Sequence, residues 1–147
     1  MKQQDDCIFC RIVRGEVPCF RVCEDDQTLT FMDIFPVAEG HTLVITKEHF
    51  SDIFEVDSET LAAVAATSLR VAQAIRRALD PDGLGVFQLN GSAAGQSVFH
   101  YHMHLLPRNA GEAFALHSRN RGDDEKLRAT ADRLAAALSG AHVGRPG

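Results

Sequence analysis

The sharpest hydrophobic pattern in the chain is an alternation. His100-Tyr101-His102-Met103-His104-Leu105 sets polar and large apolar residues in strict turn, and period two marks a β-strand with two unlike faces. It predicts a strand with Tyr101, Met103 and Leu105 turned into a core. His100, His102 and His104 then stand in a row on the other face, about 6–7 Å apart along the strand. Further strands are predicted at 20–24, 28–34, 41–46 and 84–89, with Asp25-Asp26 as a hairpin turn between the first two. A helical period takes over at Asp57 or Ser58, either of which can cap it, and lasts to about Leu79. Leu61, Val64, Ala65, Leu69, Ala72, Ile75 and Leu79 form its apolar stripe. A last helix, capped by Asp123, is predicted to about Leu138, with Leu127, Ala131, Leu134 and Leu138 facing in. Residues 7–14 read as a short helix or turn before Gly15 and Pro18, residues 109–122 as an irregular polar loop, and Ser139 to Gly147 as a frayed tail. No repeat or linker divides the 147 residues, so one domain is expected.

Three of the seven histidines fall within five residues. Imidazole changes charge near neutral pH, so such a row can bind metal, shuttle protons or attack an electrophile. A merely solvated strand face more often uses Thr and β-branched residues. Three ligands from one straight strand would spread over about 13 Å, too far for one ion. The preceding loop, Gly91-Ser92-Ala93-Ala94-Gly95-Gln96-Ser97, is built of small residues. Alone it is a tight connection; beside the histidines it reads as a cradle for an anion, with backbone N–H groups, Gln96 and Ser97 as donors.

Composition and charge remove several classes of function. The chain is 45% hydrophobic and 24% charged, ordinary for a globular protein. A net charge of −5 argues against nonspecific nucleic-acid binding. Apolar stretches are short and broken by charge, so no membrane span is expected. Met1 to Asp6 is polar with no apolar segment behind it, which predicts no signal peptide and a cytoplasmic location with reduced thiols. Of the four cysteines, Cys19 and Cys23 read as small buried hydrophobes. Cys7-Ile8-Phe9-Cys10 has the spacing of half a zinc site, or of two buried thiols.

His100-Tyr101-His102-Met103-His104-Leu105-Leu106 resembles the His-φ-His-φ-His-φ-φ motif that defines the histidine triad (HIT) family. The similarity extends through Cys7 to Ile12 with Gly15 and Pro18, Phe31 to Ile34, His41 to Ile45, Asn90 and Ala94 to Ser97. It covers roughly residues 7–108 and looks most like the bacterial, Hint-like branch. Residues after Arg108 carry no matching pattern.

The resemblance implies an α+β fold: an antiparallel sheet of about five strands, one long helix and a C-terminal helix, usually as a homodimer. It implies attack on the α-phosphorus of a nucleoside phosphoramidate or related conjugate, with purine nucleotides as the expected ligands. A nucleotidyl-histidine forms, and water releases the nucleoside monophosphate. His102 would be the nucleophile and must be neutral to attack. His104 would meet phosphate oxygens or the leaving group as a cation or acid. Gly95, Gln96 and Ser97 would donate to the phosphate and leaving group, with Asn90 and His41 framing the site. Asp33 would hold the ribose hydroxyls, and Phe9, Ile12 and Ile34 the base. Cys7, Cys10, His49 and His100 would complete a structural zinc site, which takes His100 out of the chemistry. A nucleotidyl transferase and a non-catalytic adenine-nucleotide sensor are the alternatives; the complete triad favours catalysis.

Overall fold

The alternating segments pair into one antiparallel sheet in the computed structural model, which describes residues 1–139. Strands β1 (Arg21–Glu24), β2 (Thr28–Met32), β3 (Thr42–Thr46), β4 (Gly83–Phe87) and β5 (His102–Arg108) stand in the order β1-β2-β3-β5-β4. The helices are α1 (Ile8–Val13), α2 (Ser58–Leu79) and α3 (Asp124–Ser139). This is the expected α+β arrangement. The predicted tail lies outside the described residues from position 140 onward. Among the described residues, no helix is long and apolar enough to cross a membrane.

Register decides what the site sees. Leu43 pairs with His104 and Ile45 with His102, and directly opposite residues share a face of the sheet. On that face Leu29, Phe31, Leu43 and Ile45 pack against Phe9, Cys10 and Ile12 of α1. On the other, Met32, Val44, Tyr101 and Leu105 pack against Val64, Val71 and Ile75 of α2 and Leu127 and Leu134 of α3. Both faces are covered, so β2 and β3 are buried at every position. The histidine row is therefore no solvated face: His100 is fully buried, and His102 and His104 are each 7% exposed.

Two boundaries near the site and one helix face differ from expectation. β5 begins at His102, because His100 turns out of the ladder toward the cysteine pair. β2 stops at Met32, where the chain bends into a turn closed by His41 N–H on the Ala38 carbonyl. The buried face of α2 is rotated from the predicted stripe. Thr60, Val64, Thr67, Ser68, Val71, Ala74 and Ile75 are buried, while Leu69 is 61% exposed. Small hydroxyl side chains let the helix close on the sheet, and the Thr67 and Thr28 hydroxyls meet at 2.9 Å.

Candidate functional site

α1 and the segment after β5 roof the histidine face, leaving a cavity of about 340 Å³, within the ordinary range for a small-ligand site. Phe9, Ile12 and Ile34 form part of its apolar wall, and Asp33, His41, Ser97, His102 and His104 its polar part. Among the described residues, no lysine or arginine lines it.

Each inner imidazole has a tautomer set by its partner. His102 Nδ1 lies 2.6 Å from the His100 carbonyl. A carbonyl only accepts, so Nδ1 carries the proton and Nε2 keeps its lone pair. Burial holds the ring neutral. His41 Nδ1 accepts the Val37 N–H at 3.1 Å, so in the neutral ring the proton sits on Nε2, which lies 3.0 Å from His104 Nδ1. His104 thus accepts at Nδ1 and keeps an N–H at Nε2. It stacks on Phe87 with ring centroids 4.6 Å apart, and burial pushes its pKa down to about 3. The structure therefore makes His104 a neutral donor, where the sequence suggested a cation or an acid. Asp33 Oδ2 stands 3.6 Å from His41 Nε2, while its Oδ1 caps the turn through the Phe35 N–H.

A second cluster lies behind Phe9, whose ring meets His102 edge-on at 5.1 Å and His100 at 5.8 Å. Cys7, Cys10, His49 and His100 are all buried, with one ligand atom of each within 4.8 Å of the others. Cys7 Sγ is 3.3 Å from His100 Nδ1, and Cys10 Sγ is 3.3 Å from His49 Nδ1 and 3.6 Å from His100 Nδ1. Zinc–sulfur and zinc–nitrogen bonds of about 2.3 and 2.05 Å at tetrahedral angles put those atoms about 3.6 Å apart. His100 Nε2 donates to the Thr46 carbonyl at 2.6 Å, which aims the Nδ1 lone pair at the sulfurs, the usual support for a metal-binding imidazole. Donor set and spacing both fit zinc.

The small-residue loop is placed differently from expectation. Asn90 Oδ1 takes the Ile53 N–H at 2.7 Å and its amide bonds Gln88. Gln96 is buried, accepting from Gly91 N–H and donating to the Ser51 carbonyl. Gly95 N–H closes the turn on Ser92. These polar groups are engaged within the chain itself, and none of the three residues lines the cavity. Ser97 does line it. Cys19 and Cys23 are half-buried free thiols. Leu116, His117 and Ser118 complete the wall from a segment whose sequence shows no periodicity. The one hint was a histidine in an otherwise polar loop.

A family model described as HIT domain matches residues 14–111. The Bacillus subtilis (strain 168) protein Hit is 42% identical over 123 residues, 83% of this chain and 85% of that protein. An adenosine 5'-monophosphoramidase of Schizosaccharomyces pombe is 39% identical over 102 residues, 69% of this chain and 74% of the other. A crystal structure of a Zn-bound histidine triad family protein from Mycobacterium smegmatis is similar with a TM-score of 0.81 at 39% identity, covering 92% of this chain and 95% of its own.

Proposed function

Since the chain belongs to the HIT domain family, we propose that it hydrolyses nucleoside phosphoramidates or related nucleotide conjugates through a nucleotidyl-histidine, releasing the nucleoside monophosphate. The observation that carries this is the His102 Nδ1 bond to the His100 carbonyl. It presents a neutral Nε2 lone pair, the form a nucleophilic imidazole needs. The similarity to a phosphoramidase supports the same chemistry.

In this reading His102 Nε2 attacks the α-phosphorus and the bond to the leaving group breaks. The Ser97 hydroxyl and the His104 Nε2–H donate to the phosphate oxygens, in a cavity where preorganised donors act strongly. Asp33 Oδ2 takes the ribose hydroxyls, and a purine lies against Phe9, Ile12 and Ile34. Cys7, Cys10, His49 and His100 hold zinc, which neutralises the thiolates and ties the N-terminal segment to the start of the triad strand. With four protein ligands that site is structural. We also infer a homodimer. β4 is an edge strand carrying Val86 at 51% exposure, the kind of edge a second copy covers.

His102→Gly should lower turnover of adenosine 5'-phosphoramidate by more than about a thousandfold, while AMP still binds by calorimetry. Wild-type protein quenched without acid should carry a nucleotidyl adduct on His102. A variant that turns over within a few-fold of wild type would overturn the mechanism.

A further inference from the structure

Among the described residues that line the cavity, His117 is the imidazole with no role so far. Its ring lies over Gly95: a Cβ built there would stand 2.9 Å from His117 Nε2 and 3.3 Å from Leu89 Cδ1. Gly95 also has φ +100°, a conformation side chains rarely adopt. The loop's missing side chain is thus the space the His117 ring occupies. The ring is close enough for its charge to act on both His41 and His104.

Two facts separate His117 from the other imidazoles. The inner rings are committed: His41 through both nitrogens, His102 and His104 each through Nδ1. His117 makes no hydrogen bond or ion pair to any described residue, so both its nitrogens are free, and it is exposed to solvent that can resupply a proton. It also stands between two spaces. It lines the cavity and, with Val37, Arg108, Ser118 and Arg119, an open groove of about 530 Å³ leading outward. A group leaving the α-phosphorus in line with the attack of His102 needs such an exit.

An amine cannot leave phosphorus without a proton, and among the described residues no lysine lines the cavity to give one. We propose that His117 is the acid that protonates the leaving amine, and that the groove beyond it receives that amine; this rests on the hydrolase reading above. As His102 Nε2 bonds to phosphorus, the P–N bond breaks and its electron pair takes the His117 proton. Neutral amine and neutral His117 result. Water then attacks the nucleotidyl-imidazole and gives its proton to solvent, the P–Nε2 bond breaks to restore neutral His102, and solvent reprotonates His117. The substrate class is a nucleotide joined to an amine through phosphorus.

The test compares two AMP conjugates that differ in their need for a proton: an alkylamine phosphoramidate and the p-nitrophenyl ester, whose phenolate leaves unaided. In His117→Asn, kcat on the phosphoramidate should fall by about a hundredfold or more, the usual worth of a general acid, and on the ester far less. AMP affinity by calorimetry and the circular dichroism spectrum report whether the cavity is intact. Gly95→Ala, which pushes the same ring aside, should reproduce the selectivity if it folds. A loss on the phosphoramidate less than tenfold greater than on the ester overturns the role of His117. If His102→Gly retains turnover of both substrates, the underlying mechanism fails instead, and this role with it.

Discussion

Acidification should destabilise this fold through His104. The ring is 7% exposed, stacked on Phe87 and bonded to His41, and burial lowers its pKa from 6.5 to about 3. In the unfolded chain the same imidazole takes a proton near 6.5. Between these values the unfolded state binds a proton that the folded state refuses, so stability falls as pH falls, by about 1.36 kcal/mol per pH unit. Above 6.5 both states are neutral and nothing is lost; below about 3 both are protonated and the loss stops growing. Going from pH 7 to pH 5 enters this window by about 1.5 units, so His104 alone should cost about 2 kcal/mol. That is a sizeable part of the about 5–15 kcal/mol that holds a domain together. Urea unfolding of wild type and His104→Asn at both pH values measures it. Asn can still accept from His41 Nε2–H, which keeps that ring's partner in place, and effects of acid on the cysteine cluster are common to both proteins. Wild type should lose about 2 kcal/mol more than the variant over the interval, even though the variant starts less stable. Equal losses in the two proteins would refute the assignment.

Two other outcomes follow from the clusters and the sheet edge. Protein purified without chelator should carry about one zinc per chain, and Cys10→Ser should lose it together with about 10 °C of melting temperature, the scale expected when several kcal/mol of ligation go; a metal-free wild type as stable as the variant would remove the site. Light scattering at micromolar concentration should give a dimer, and Val86→Lys on β4 should shift it toward monomer; a wild-type monomer would remove the assembly.

The triad strand was legible in the sequence because alternation is a property of neighbours. Tyr101 and Leu105 fill one face and His102 and His104 the other, as the pattern requires. What covers a face is not local, and there the pattern stopped. The imidazoles are buried by Phe9 and Ile12 of a helix some ninety residues away in the chain and by a segment with no period of its own. Burial is what leaves His104, suggested as a cation or an acid, a neutral donor. The α2 stripe was misplaced because Thr67 and Ser68 are buried, Thr67 through a hydroxyl pair with Thr28 that hydropathy cannot register. Asn90 and Gln96 show the same limit: an amide can serve a substrate or its own chain, and here the backbone claims both.

The triad's first histidine illustrates how the two clusters depend on each other. Its ring belongs to the cysteine cluster, held by Cys7, Cys10 and the Thr46 carbonyl. Its carbonyl belongs to the cavity, where it fixes the proton of His102 on Nδ1. One residue therefore joins the cysteine cluster with its side chain and orients the His102 ring with its backbone. Loosening the cluster would let that carbonyl move, and the His102 proton would no longer be confined to Nδ1. The cysteine–histidine cluster, though it does not line the cavity, in this way bears directly on whether the middle histidine presents a free Nε2 lone pair to the cavity.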